Sequence, residues 1–346
     1  MKNIKLVNED NLSSELNTTE NFALQNYPHI LLSPARIAEP TAWVEHIPFA
    51  FFITTILKPK ILVELGVHTG NSYFSFCQTV KNLSLNTSVY GVDTWIGDEH
   101  AEFYDESIYN DISGYNNLNY SNFSSLIRGR FDDALQYFSE GTIDILHIDG
   151  YHTYEAVSHD FNTWLPKMSK RGVVLLHDTQ VRVNNFGVWK FFEELTNKFT
   201  TFQFLHGYGL GVVLVGEEIP EEFKNFIDIA KSNSYIQNLF SVLGRKNLLR
   251  HQVNQFADTI TKKDTELSLI NDTCKELQAE IGKKDSYIRD LENSIQEAKT
   301  NLNKVFEIEL RNVELEEKYF SNNVSIERIR DNFLLQKLCS AFGIKL

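Results

Sequence analysis

The chain has the pattern of an α/β protein with a mostly parallel sheet covered on both faces, followed by a long coiled coil. Three observations predict this. Between residues 61 and 198, short apolar runs alternate with stretches of helical periodicity, the signature of parallel strands joined by crossover helices. Two of those runs end in polar residues, His147-Ile148-Asp149-Gly150 and His177-Asp178-Thr179, and open α/β sheets keep their sites at the carboxyl ends of strands. From Val253 a three-four spacing of core positions continues to Val305 without a proline.

In chain order, residues 1–40 are polar and irregular, contain Pro28, Pro34 and Pro40, and are expected to form an arm or lid. Trp43 to Leu57 is expected to be a helix that stops before Pro59. Strands are predicted at 61–65, 88–92, 125–128, 143–148 and 173–176, with helices near 71–81, 132–138, 153–165 and 188–198. The apolar runs 202–205 and 210–215 flank His206-Gly207-Tyr208-Gly209 and should close as a hairpin that adds an antiparallel edge. Residues 98–121 form a polar, aromatic insertion that breaks the alternation. Residues 41–220 therefore make the α/β domain, 221–250 a linker helix, 251–325 the coil, and 326–346 an amphipathic end. Ile and Val at many first core positions, with Leu at several second ones, favour a parallel dimer, with a trimer as the alternative. Lys263 and Lys284 fall on second core positions, where they weaken the seam and set register. The last segment, with Arg328, Arg330, Lys337 and Lys345 among apolar residues, suits docking on a partner or on its own coil, with a peripheral membrane contact as the alternative.

Composition narrows the function. The formal charge is -13 over 346 residues. Residues 221–346 hold 19 basic and 20 acidic residues, leaving 14 and 26 in the first 220, so the front part repels nucleic acid. Cys77, Cys274 and Cys339 are too far apart for a thiolate metal site or a disulfide scaffold, which fits a reducing cytoplasm. The first residues lack a continuous apolar stretch, so no secretory signal is expected.

The candidate chemistry lies in three places. Val63-Glu64-Leu65-Gly66-Val67-His68-Thr69-Gly70-Asn71-Ser72 is a strand, a glycine-bearing turn and a helix start, where backbone can approach a ligand and amides are unpaired. Asp93 ends the next strand, where a carboxylate can accept from both hydroxyls of a ribose or serve as a turn residue. Asp149 and Asp178 end adjacent strands and can converge on a divalent cation, with His177 or water completing the shell. His152, in the turn after Asp149, is placed to be a general base, whereas His147 suits a hydrogen-bonded core position. A rival grouping of His147, Asp149 and His177 matches a two-histidine, one-carboxylate iron site, but the known scaffolds for it are all-β.

VELGVHTGNSY, GVDTWIGD, IDILHIDGYHTYEAVSHDFNTWLPK, VVLLHDT and FGVWKFFEEL follow one another in an order that resembles class I S-adenosylmethionine-dependent methyltransferases. Within them the chain is similar to the branch associated with bacterial glycosyltransferases and related to macrolide-sugar O-methyltransferases and cephalosporin-cluster enzymes. The likeness extends over residues 40–216. It implies a Rossmann-like seven-stranded sheet with an antiparallel last strand. It also implies a cofactor site in which Glu64, Gly66, His68, Gly70, Asn71 and Ser72 meet the methionine end, Asp93 and Thr94 the ribose, and Arg130, Phe131 and Asp132 the adenine. The resemblance further implies catalytic roles for Asp149 and His152, and a metal, Mg2+, at Asp149, His177 and Asp178. The sugar enzymes of this branch carry an acidic pair where this chain has His177-Asp178, a departure that bears on the metal.

The expected activity is therefore O-methylation of a sugar hydroxyl in a bacterial glycan or glycoside. The expected setting is the cytoplasm or the inner membrane face, beside glycan-assembly enzymes. A coiled-coil scaffold with a degenerate methyltransferase domain, or an enzyme acting on a non-sugar small molecule, are the alternatives. The insertion 98–121, with Trp95 beside it and Tyr104, Tyr109, Tyr115 and Tyr120 within it, is either a sugar-stacking surface or a packed aromatic lid.

Overall fold

The computed structural model describes residues 26–98, 102–320 and 339–343. Residues 1–25 of the expected arm and most of the amphipathic end, 326–338 and 344–346, lie outside the described residues. The chain divides into two compact units, residues 1–257 and 258–346.

The first unit is built on a seven-stranded sheet. Its strands are β1 (Ile61–Leu65), β2 (Ser88–Asp93), β5 (Ser124–Arg128), β6 (Ile143–Ile148), β7 (Met168–His177), β8 (Thr200–Phe204) and β9 (Leu210–Leu214). A separate two-residue pair, β3 (Gly97–Asp98) and β4 (Glu102–Phe103), lies in the insertion. The strand order is β5-β2-β1-β6-β7-β9-β8, parallel from β5 to β7. The last strand, β9, runs antiparallel to both β7 and β8. The hairpin adds the expected antiparallel edge. Its second strand inserts beside β7, and the edge strand β8 points the same way as β7.

Alternation along the strands sorts the core onto two faces. Leu62, Ile145, Val173 and Leu175 pack on one side with α1 (Ile47–Leu57), α2 (Asn71–Asn82) and α7 (Glu221–Ser232). Val63, Leu65, Leu146, Ile148, Val174 and Leu176 pack on the other with α5 (Tyr154–Trp164) and α6 (Val188–Leu195). A short helix, α4 (Phe131–Ala134), precedes β6. Helix α1, IPFAFFITTIL, is apolar all round because ten of its eleven residues are buried, and it ends at Lys58 in a left-handed conformation just before Pro59.

One segment differs from expectation, and in another the structure chooses between two readings. Residues 221–250, expected as a linker helix, form α7 and the start of α8 (Ser234–Phe320), and they bury Phe223, Phe226, Ile227, Ile236 and Phe240 in the core beside α1. The insertion is not a stacking surface for the most part: residues 106–119 form α3 (Glu106–Asn119), started by Asp105, whose side chain accepts from the Ser107 amide at 2.8 Å. Ile112 is buried, Tyr109 packs on Trp95 at 5.0 Å between centroids, and Tyr115 and Tyr120 pack on Phe74. Tyr104 alone of these tyrosines reaches the cleft described below.

In the second unit α8 continues as one helix to Phe320, and its described side chains are almost all exposed. Among the described residues no helix is long and apolar enough to cross a membrane.

Candidate active site

A cleft of about 1450 Å3 lies over the carboxyl ends of β1, β2, β6 and β7. Its floor begins with the β1–α2 turn. Gly66 adopts φ +88°, and a Cβ there would stand 2.0 Å from the Asp149 carbonyl oxygen, so only glycine lets β1 pass so close to the end of β6. His68, at φ +48°, stacks on Tyr104 at 4.6 Å, and Gly70 caps α2 without any side-chain acceptor for the first-turn amides. That leaves a helix start open to an anion.

The turn is held by Asp93. One carboxylate oxygen accepts from the amides of Val67 and His68, both at 2.9 Å, and the other accepts from the Trp95 amide at 2.7 Å. Three of about four acceptor positions are thereby used within the protein. Asn71 is also engaged: its side-chain nitrogen donates to the carbonyls of Ala38 and Pro40, and its oxygen accepts from the Ala38 amide, clamping the segment before α1 against the cleft.

Glu64 is fully buried beneath the turn and is not part of the cleft wall. Its carboxylate accepts from the Ser72 hydroxyl at 2.5 Å and lies 3.5 Å from His147 Nδ1, and burial raises its pKa. His147 Nε2 in turn accepts from the Trp43 indole at 3.1 Å. His147 is thus the bonded core histidine its strand position suggested. It is turned toward Trp43 and Glu64, so the rival iron grouping with Asp149 and His177 is not assembled among the described residues.

At the ends of β6 and β7 four groups converge. His152 Nε2 lies 3.0 Å from Asp178 Oδ2 and 3.6 Å from Asp149 Oδ1. His177 Nδ1 lies 3.3 Å from Asp149 Oδ1 and 3.4 Å from Asp178 Oδ2. The His177 ring orientation follows from its other nitrogen: Nε2 donates to the Gly207 carbonyl at 3.1 Å, which leaves Nδ1 facing the two carboxylates. Asp178 itself sits at φ +61°, a left-handed position that Asp tolerates and that ends β7 sharply. Asp149, His152 and Asp178 place one donor atom each within 4.8 Å of one another, close enough to share a cation.

Electrostatics bind the four groups together. Burial alone would raise the Asp149 and Asp178 carboxyls, but the His177 charge and bonds from both histidines outweigh it, holding Asp149 well below its ordinary value and Asp178 at about 2. Burial alone would lower the histidines, but the two carboxylates outweigh it, raising His177 well above 6.5 and His152 to about 9. His152 in this arrangement is an acid at neutral pH. It becomes a base above about 9, or nearer neutrality when the carboxylate charge beside it is taken up.

The far end of the cleft is formed by Arg130, Phe131 and Asp132, with Phe131 against Gly150 and Asp132 paired to His159 at 2.9 Å. Asp160 also lines this end. It is 7% exposed, and burial pushes its carboxyl up to about 7.

Residues 63–179 match the family profile described as "Methyltransferase domain". This segment is a methyltransferase domain. An uncharacterised protein of Sinorhizobium fredii is 44% identical over 194 residues, which are 56% of this chain and 21% of that protein, so the chain spans about a fifth of the curated relative. Among solved structures, an O-methyltransferase from Streptomyces achromogenes involved in tomaymycin synthesis, in complex with S-adenosylmethionine, is 14% identical with a TM-score of 0.38, covering 61% of this chain and 100% of that one. An O-methyltransferase from Bacillus cereus in complex with S-adenosylhomocysteine is 16% identical with a TM-score of 0.38, covering 61% and 93%.

The cleft of the methyltransferase domain brings together Gly66, His68, Gly70, Asn71, Ser72, Asp93, Thr94, Arg130, Phe131, Asp132, Asp149, His152, His177 and Asp178, and leaves Glu64 beneath it. Three contributors were not legible as site residues. Phe186 stacks flat on His152 at 4.6 Å and 7°, the Gly187 amide donates to the His152 carbonyl at 2.8 Å, and the Gly207 carbonyl fixes His177. Phe186-Gly187 stands in the FGVW stretch and Gly207 in the HGYG turn, so glycine at both places was the available signal.

Proposed function

We propose that this chain is an S-adenosylmethionine-dependent O-methyltransferase, with a sugar hydroxyl of a bacterial glycan or glycoside as acceptor. One observation carries the reading: the Asp149, His152, His177 and Asp178 cluster opens into the same cleft as the Gly66–Gly70 turn. The residues fit the cofactor. The uncapped first turn of α2 suits a methionine carboxylate, and Asp93 retains one acceptor position for a ribose hydroxyl. They also fit a divalent cation, because Asp149 and Asp178 are ionised and the Gly207 bond turns His177 Nδ1 toward the same point, where it becomes a ligand once a cation displaces its proton.

S-adenosylmethionine would supply an electrophilic methyl group, and a cation held by Asp149, Asp178 and His177 would lower the pKa of a bound hydroxyl. The chain's own residues do the positioning. His152 Nε2 is the atom that takes the hydroxyl proton, after release of the proton it shares with Asp178. Phe186 fixes the plane of the His152 ring, and the Gly187 amide fixes its backbone. Tyr151, Val183 and Tyr208, exposed at the rim beside this cluster, offer apolar faces to the carbon face of a sugar ring. Histidine at position 177, where the related sugar enzymes carry an acidic residue, favours a cation that accepts nitrogen over strict Mg2+.

The test is transfer of labelled methyl from S-adenosylmethionine to glycan extract, with and without EDTA, beside calorimetry with the cofactor. Binding without any transfer to sugar acceptors would move the acceptor elsewhere. No binding at millimolar S-adenosylmethionine would leave the scaffold reading. The setting beside glycan-assembly enzymes at the inner membrane face belongs to the same proposal, with self-association through the coil.

A further inference from the structure

The seam of the second unit carries more than a tendency to associate. Within it the core positions are Ile260, Lys263, Leu267, Ile270, Cys274, Leu277, Ile281, Lys284, Ile288, Leu291, Ile295, Ala298, Leu302 and Val305. The large apolar side chains from Ile260 to Ile295 and Val305 are between 44% and 60% exposed, a stripe running along some 45 residues of helix, or about 68 Å. Two lysines interrupt it, Lys263 and Lys284, both at second core positions and three heptads apart. Each is followed at once by an aspartate, Asp264 and Asp285, at the position that flanks the second core position across a parallel interface.

That repetition decides orientation. In a parallel, in-register pair, a side chain at the second core position packs into a hole whose rim includes the next residue of the partner. Lys263 then lies beside the partner's Asp264, and Lys284 beside the partner's Asp285, so each layer holds two ammonium and two carboxylate groups. Shifting the register by one heptad sets both lysines against apolar layers. Reversing one helix sets the row Asp264, Asn271, Gln278, Asp285, Glu292 and Lys299 against its own copy and reproduces neither lysine–aspartate layer. The intrahelical bonds Lys263 to Glu266 at 2.9 Å and Lys284 to Glu280 at 3.0 Å show that both ammonium groups reach the edge of the stripe, where a two-stranded core leaves them wet. A three-stranded core would enclose three lysines per layer, at a greater desolvation cost.

We propose that the occupant of this stripe is a second copy of the chain, in a parallel, in-register two-stranded coil whose register is fixed by the Lys263–Asp264 and Lys284–Asp285 layers. Cys274 reports on it. It stands at a first core position and is the exposed cysteine of the three, Cys77 and Cys339 being buried. In the proposed coil it faces the partner's Cys274 across the axis, whereas a reversed or shifted pair separates the two.

The experiment uses the full chain at micromolar concentration. Sedimentation equilibrium is expected to give twice the chain mass. Mild copper-phenanthroline oxidation is expected to give a covalent dimer that Cys274→Ser abolishes. A charge reversal at both lysines, Lys263→Asp with Lys284→Asp, is expected to weaken association at least tenfold, and adding Asp264→Lys and Asp285→Lys is expected to restore it. Circular dichroism verifies that each variant remains helical. A monomer or a trimer overturns the proposal. So does a dimer without the Cys274 cross-link, or one whose affinity the fourfold exchange does not recover.

Discussion

His152 Nε2 and the Asp178 carboxylate lie 3.0 Å apart in the cleft, and this contact, together with the one to Asp149, outweighs burial and makes the candidate base an acid at neutral pH. With its pKa raised from 6.5 to about 9, His152 stays protonated below that value and is competent to accept a proton only above it. In EDTA, methyl transfer should therefore rise with pH through about 9. Added Mn2+ or Mg2+ should move that limb toward neutrality, since a cation takes up the carboxylate charge that holds the proton. A pH–rate profile with and without metal measures both limbs. A limb near 6.5 in EDTA would contradict the pairing.

His152→Gln should lower the rate of methyl transfer by roughly 100- to 10,000-fold while leaving S-adenosylmethionine affinity within a few-fold, as befits a proton acceptor that does not hold the cofactor. Calorimetry and single-turnover kinetics separate the two. Equal losses in binding and rate would place His152 in the cofactor site instead.

Asp178→Asn removes one of the two carboxylates that outweigh burial at His152. The imidazole pKa should fall from about 9 toward 6.5, and cation affinity should fall with it. Histidine titration by NMR reads the first, and metal calorimetry the second. An unmoved titration would mean that Asp149 alone governs the ring.

Asp93→Ala orphans the amides of Val67, His68 and Trp95, which the carboxylate now accepts from at 2.7 to 2.9 Å. The expected loss of stability is about 2–4 kcal/mol, by urea denaturation, along with at least tenfold weaker S-adenosylmethionine binding. Weaker binding at unchanged stability would assign Asp93 to the ribose alone.

Asp160→Asn tests the buried carboxyl at the other end of the cleft. Its folded pKa is raised from 3.8 to about 7, so the folded state binds the proton more tightly, and wild-type stability declines as pH rises through that window. The variant should lack this decline, matching wild type near pH 4 and exceeding it at pH 8 by at most roughly 4 kcal/mol. Thermal denaturation at the two pH values decides the matter.

Much of this protein is set by local chemistry that a linear chain displays. The alternation of apolar runs and helical periods placed β1 and β6 at their observed bounds, because strand and helix differ in a repeat that three or four residues reveal. Gly66 and Gly70 marked the turn, and the polar ends of β6 and β7 marked Asp149, His152, His177 and Asp178 as one group. The helical spacing of Ile108, Ile112 and Tyr115 behind Asp105 was also present, but an insertion dense in tyrosine and asparagine masked it.

What only tertiary structure decided is which partner each polar group takes. Asp93 is occupied by amides up to 26 residues away, Asn71 by the segment before α1, His147 by Trp43, and His177 by Gly207. Whether 221–250 is a linker or part of the core was decided in the same way, by Phe226 and Phe240 finding Phe49 and Phe52. The reason is physical. Periodicity and turn preference act over a few neighbouring residues, whereas a hydrogen bond or an ion pair is chosen by distance in space, and so is the pKa that follows from it.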